Sequence, residues 1–60
     1  MNMELPNDPM MLVITVNMYL RDSYSSLDKL CSSLDIDRSE LEEKLRAAGF
    51  EYSQENNKFW

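Results

Sequence analysis

Sixty residues allow one domain with a minimal core, because a chain of this size buries only about 60% of its unfolded surface. Eleven acids against six bases give a net charge of −5, which repels nucleic acid and anionic membranes. One cysteine and no histidine exclude an internal disulfide and a tetrahedral N/S zinc site, while a hydrophobic share of 43% argues against disorder.

Residues 1–7 read as an extended lead-in. The chain opens on Met1 with no tag or linker, so the sequence reads as a complete small protein. The stretch from Met1 to Pro6 is acidic and has no basic n-region, so no signal peptide is expected. Asp8-Pro9 then starts a first helix, expected over residues 9–22. The Asp8 carboxylate can cap it, and Pro9 fits the first helical position, where a missing N–H costs nothing. The cluster Ser23-Tyr24-Ser25-Ser26 ends it. Its apolar run, Met10 to Leu20, is broken by Thr15 and Asn17 and falls far short of the ~20 residues that span a bilayer. A reducing cytoplasm is the expected location, since secreted domains this small usually need several disulfides.

Ser25 to Asp28 matches the S-x-x-D form of a capping box, so a second helix is expected near residues 26–34. Leu27, Leu30, Cys31 and Leu34 form one helical stripe at i, i+3, i+4, i+7. The third helix, residues 38–48, has the clearest boundaries. Asp37 and Glu40 form a capping box, Ile36 and Leu41 a hydrophobic staple, and Gly49 can take the left-handed position while Phe50 folds back on Leu45. Beyond it, Phe50 to Ser53 and Lys58 to Trp60 alternate apolar and polar residues around Gln54-Glu55-Asn56-Asn57. Asparagine tolerates the positive φ of hairpin turns, so a short hairpin is expected over residues 50–60. A lone hairpin is marginal in water and must lean on the helices; Phe50, Tyr52, Phe59 and Trp60 supply the surface for it. The expected architecture is mainly α, a single domain over residues 1–60. Its core is expected to contain Leu12, Val16, Leu20, Leu27, Leu30, Cys31, Leu34, Ile36, Leu41, Leu45, Phe50 and Tyr52.

Three helices, a short turn between the second and third, and a terminal hairpin resemble a winged helix-turn-helix. Residues 26–41 (SLDKLCSSLDIDRSEL) carry that likeness. Cys31 falls where the pattern has a small residue, and Ile36 and Leu41 where it has apolar ones. Asp35 replaces the usual glycine of the turn. The chain also resembles a bacterial family of small proteins described only as a domain of unknown function. Leu5 to Pro9, Val16-Asn17, Leu20 to Asp22, Ser26 to Cys31, Leu34 to Asp37 and Gly49 to Tyr52 carry this second likeness. It implies a bacterial cytoplasmic protein and brings no activity with it.

The residues themselves offer no catalytic constellation, and the protein is not expected to be an enzyme or to hold a cofactor or small-molecule ligand. Cys31 has no histidine to activate it and lies on the apolar stripe of the second helix, where it reads as a small buried hydrophobe. Asp35 to Glu40 hints at a calcium loop, but Glu40 stands where that loop needs glycine and Arg46 where it needs the bidentate glutamate. Glu42 and Glu43 are adjacent on a helix, diverge, and read as a solvated face. Gly49 is the single glycine, so there is no phosphate-binding glycine loop.

Fold analogy suggests DNA binding, but fold alone does not carry function. Residues 37–43, which would face the bases, hold four acids (Asp37, Glu40, Glu42, Glu43) against Arg38. The hairpin adds Lys58 against Glu51 and Glu55, so duplex DNA is not an expected partner. The first helix instead shows two apolar faces. Leu12, Val13, Val16, Tyr19 and Leu20 gather on one side, assigned to the core. Met10, Met11, Ile14 and Met18 lie within about a 100° arc on the other, with Asn17, Arg21 and Asp22 as a polar rim. This second stripe is the candidate interaction surface, fitting a homodimer or another protein partner. Two alternatives stand beside it: the hairpin or the lead-in, through Met3 and Leu5, covers the stripe within one chain; or the protein is a regulator that binds nucleic acid weakly or only within a complex.

Overall fold

The computed structural model describes residues 5–60, so the part of the lead-in that holds Met3 lies outside the described residues. Pro9–Asp22 forms α1, Leu27–Leu34 forms α2 and Arg38–Ala47 forms α3. Tyr52–Ser53 (β1) and Lys58–Phe59 (β2) pair antiparallel, Tyr52 opposite Phe59 and Ser53 opposite Lys58. A mainly α architecture with a C-terminal hairpin is thus what the chain adopts. The strands are shorter than the alternating pattern implied. Mutual hydrogen bonds of 3.1 Å between Glu51 and Trp60 extend the ladder by one pair, and Phe50 stays outside it.

Local chemistry explains the boundaries. At α1, the Asp8 carbonyl accepts from the Leu12 N–H at 2.8 Å, but the Asp8 carboxylate makes no capping bond, so the side-chain cap expected there does not form. At α2 the cap is Ser26 rather than Ser25. Its hydroxyl accepts from the Lys29 N–H at 3.2 Å, while the Asp28 carboxylate that a Ser25 box would have used reaches Arg38 instead. The α2–α3 turn passes through Asp35 at φ 56°, and the Ile36 N–H returns to the Cys31 carbonyl at 2.9 Å. At α3, the Asp37 carboxylate accepts from the Ser39 N–H at 2.9 Å. The helix ends in a Schellman motif: Gly49 at φ 93°, its N–H on the Arg46 carbonyl and the Phe50 N–H on the Leu45 carbonyl.

The buried core consists of Leu12, Val13, Val16, Leu20, Leu27, Leu30, Cys31, Leu41, Leu45 and Phe59. Four residues expected there, Leu34, Ile36, Phe50 and Tyr52, are half-buried and pack on it from outside. Leu34 and Ile36 flank the α2–α3 turn and Phe50 follows the Gly49 cap, where the chain runs at the surface. Tyr52 keeps its hydroxyl in a polar network at the edge. Phe59 supplies the hairpin's buried anchor, its ring tilted against that of Tyr52 at 5.3 Å between centroids. Trp60, expected to lean on the helices, is 62% exposed, because alternation along β2 turns it to the face opposite Phe59.

Two asparagines bolt the hairpin to the helices. The Asn17 amide donates to the Phe59 carbonyl at 2.9 Å and its oxygen accepts from the Phe59 N–H at 2.8 Å, so a side chain of α1 pairs with β2 as a neighbouring strand would. The Asn57 amide donates to the carbonyls of Leu20 (3.1 Å) and Tyr24 (3.0 Å). Its oxygen accepts from the Tyr52 hydroxyl at 2.7 Å, which itself accepts from the Leu27 N–H at 3.2 Å. Asn57 also supplies the hairpin's positive φ, 52°. Asn17 is therefore a structural clamp as well as a polar neighbour of Ile14 and Met18.

Candidate functional site

Four side chains of α1 remain uncovered by the described residues: Met10, Met11, Ile14 and Met18, each about half exposed. Helical periodicity puts them on one face because Leu12, Val13, Val16 and Leu20 occupy the opposite one. Leu5 does not cover them. It packs with Pro6 against Leu12, Ile36 and Leu41 in a separate hollow of about 230 Å³ edged by Glu40 and Lys44. Nor does the hairpin. Ile14 and Met18 line an open groove between α1 and the turn, whose other wall is Asn56, Asn57 and Lys58. Ile14 stays 53% exposed there.

Two pairings at this surface were not singled out in the sequence. The Lys58 ammonium sits 4.6 Å from the centroid of the Trp60 ring, so an exposed tryptophan stands behind the groove's hairpin wall. Arg21 and Asp22, expected at the rim, pair with each other at 3.0 Å and are both exposed. Alternation along the expected second strand could have placed Lys58 and Trp60 on one face. The strand's short length left the register open.

The surface of α3 is electrostatically closed. Arg38, the base in its first turn, is held by the carboxylates of Glu42 and, at 2.6 Å, Asp28, and lies 5.6 Å over the Tyr52 ring. Hydrogen bonds to Glu42 and Asp28 push its pKa above the ordinary arginine value. Its charge is thus neutralised within the molecule. Lys44 and Arg46 lie in the last turn, where they complement the helix dipole.

Cys31 is buried, and burial raises its thiol pKa, so it lacks the low-pKa, accessible character of a reactive thiol. Among the described residues no three His, Cys, Asp or Glu side chains gather into a metal-binding group. No helix among them is long and apolar enough to cross a membrane.

The fold and this surface describe a small helical domain with a stapled hairpin. The chain belongs to the family described as Domain of unknown function (DUF4250), whose pattern matches residues 6–59. No curated protein and no solved structure matches it.

Proposed function

We propose that this protein is a non-enzymatic protein-binding module whose working surface is the outer face of α1. The observation that carries the reading is the contiguous exposure of Met10, Met11, Ile14 and Met18 on one helix, in a chain with few apolar residues to spare. Scattered apolar side chains on a surface are ordinary, whereas contiguous patches of a few hundred Å² mark contact sites. Methionine suits the role, because its flexible thioether adapts to a partner's shape. The rival nucleic-acid reading is disfavoured by α3, whose first-turn arginine is consumed by Asp28 and Glu42.

A photo-crosslinking amino acid introduced at Ile14, and separately at Glu43 on α3, tests the proposal in living cells. Protein adducts from position 14 in clear excess over position 43 are expected. Equal or greater yield from position 43, or no adduct at 14, would overturn it.

A further inference from the structure

Resting on that reading, we propose that Met10, Met11 and Met18 form a modification site: a peroxide-class oxidant converts them to sulfoxides and closes the contact face of α1 while the fold stays intact. The first observation is where the sulfur lies. All three methionines among the described residues sit on the outer face of α1, each about half exposed, and the core holds none. The second observation is the thiol. Peroxide attacks an accessible thiolate before a thioether, but Cys31, the single cysteine, is buried and its pKa is raised by that burial. The accessible sulfur among the described residues is therefore thioether, and it is confined to one face.

With hydrogen peroxide as the oxidant, the thioether sulfur attacks one peroxide oxygen. An S–O bond forms and the O–O bond breaks. The departing hydroxide takes the proton from the transferred oxygen and leaves as water, so sulfur loses two electrons and the peroxide gains them. Thiol-dependent methionine sulfoxide reductases reverse the step, two thiols becoming a disulfide as the oxygen leaves as water. Spacing makes the change matter. Met10 and Met18 stand four residues from Ile14, and Met11 three, so all three are its neighbours on the helix surface. Oxidation surrounds the remaining apolar side chain of the face with strong hydrogen-bond acceptors. Burying a sulfoxide oxygen against an apolar partner without a donor costs more than burying the thioether gains. The core is built of leucine, valine and Phe59 around the shielded Cys31, so the same oxidant leaves the helices packed.

Purified protein treated with hydrogen peroxide gives the first readout. Peptide mapping is expected to find oxygen on Met10, Met11 and Met18, with earlier elution from a hydrophobic-interaction column and an unchanged circular dichroism spectrum. Methionine sulfoxide reductase should restore the original elution. Loss of the helical signal, or methionines left unoxidised while Cys31 reacts, would overturn the proposal. In cells, the photo-crosslinker at Ile14 is compared before and after a peroxide pulse. The comparison is made in the parent and in a variant carrying Met10→Leu, Met11→Leu and Met18→Leu, which keeps the face apolar without sulfur. A several-fold loss of adducts in the parent and none in the leucine variant is expected. No loss in the parent, or equal loss in both, would overturn the proposal; the adducts present before the pulse would leave the protein-binding reading standing. No adduct at position 14 before the pulse would remove both.

Discussion

Asn57 stands at φ 52° in the hairpin turn while its amide holds the carbonyls of Leu20 and Tyr24 and its oxygen takes the Tyr52 hydroxyl. Asn57→Gly keeps the backbone freedom and removes the bonds, so a loss of about 2 kcal/mol is expected, given ~1 kcal/mol per net hydrogen bond and the unpaired carbonyls left behind. Urea unfolding measures it, and an Asn57→Gly variant as stable as the parent would deny the side chain its role. Asp35 is the opposite case. It holds φ 56° at the C-terminus of α2, where its charge opposes the helix dipole. Asp35→Gly relieves both and is expected to stabilise the fold by about 1 kcal/mol, read in the same experiment. Cys31 makes a chemical prediction. With its thiol pKa raised by burial, it is expected to resist Ellman's reagent at neutral pH until the protein unfolds. The linked stability is fully present below the ordinary thiol pKa and is lost as pH climbs through the raised one, so unfolding in alkali should ease for the parent more than for Cys31→Ala.

The hairpin shows what an element this short requires. Two-residue strands cannot stand alone, and this pair is held by Phe59 in the core and by the two asparagines. Phe59→Ala is expected to cost about 3–5 kcal/mol. That matches most of the total stability of a 60-residue chain, on the order of 3–9 kcal/mol, so circular dichroism should report a largely unfolded protein. Trp60→Ala, one residue on, should change stability by no more than about 0.5 kcal/mol. The helices were legible because the Ser26 and Asp37 caps, the Schellman glycine and the 3.6-residue period are local signals, although the Asp8 side chain makes no cap at α1. Burial within the hairpin was not. Which of Phe50, Tyr52, Phe59 and Trp60 faces inward depends on strand register, and register here is set by Asn17 and Asn57. Their bonds between α1 or the α1–α2 loop and the hairpin, Asn17 to Phe59 and Asn57 to Leu20 and Tyr24, span more than thirty residues of sequence, beyond any local pattern.

At the scale of the molecule, each helix is neutral by count, with one acid and one base in α1 and in α2 and three of each in α3, and the net charge of −5 comes from the segments between and beyond them. What sets α1 apart is its row of exposed methionines. The stripe of Met10, Met11, Ile14 and Met18 could be read directly from helical spacing. The clamping role of Asn17 could not, since it looks like a surface polar residue until its bonds to Phe59 are seen. With Arg38 neutralised by Asp28 and Glu42, no measurable binding to duplex DNA is expected in a band-shift at physiological salt, and submicromolar affinity would contradict the charge argument. The account turns on the proposal that the outer face of α1 is the contact surface of the molecule. Photo-crosslinking in living cells from position 14 beside position 43 tests this most directly, because Ile14 is exposed and its replacement leaves the core intact. The expected result is protein adducts from position 14 in clear excess over those from position 43. Equal or greater yield from position 43, or no adduct from position 14, would contradict it.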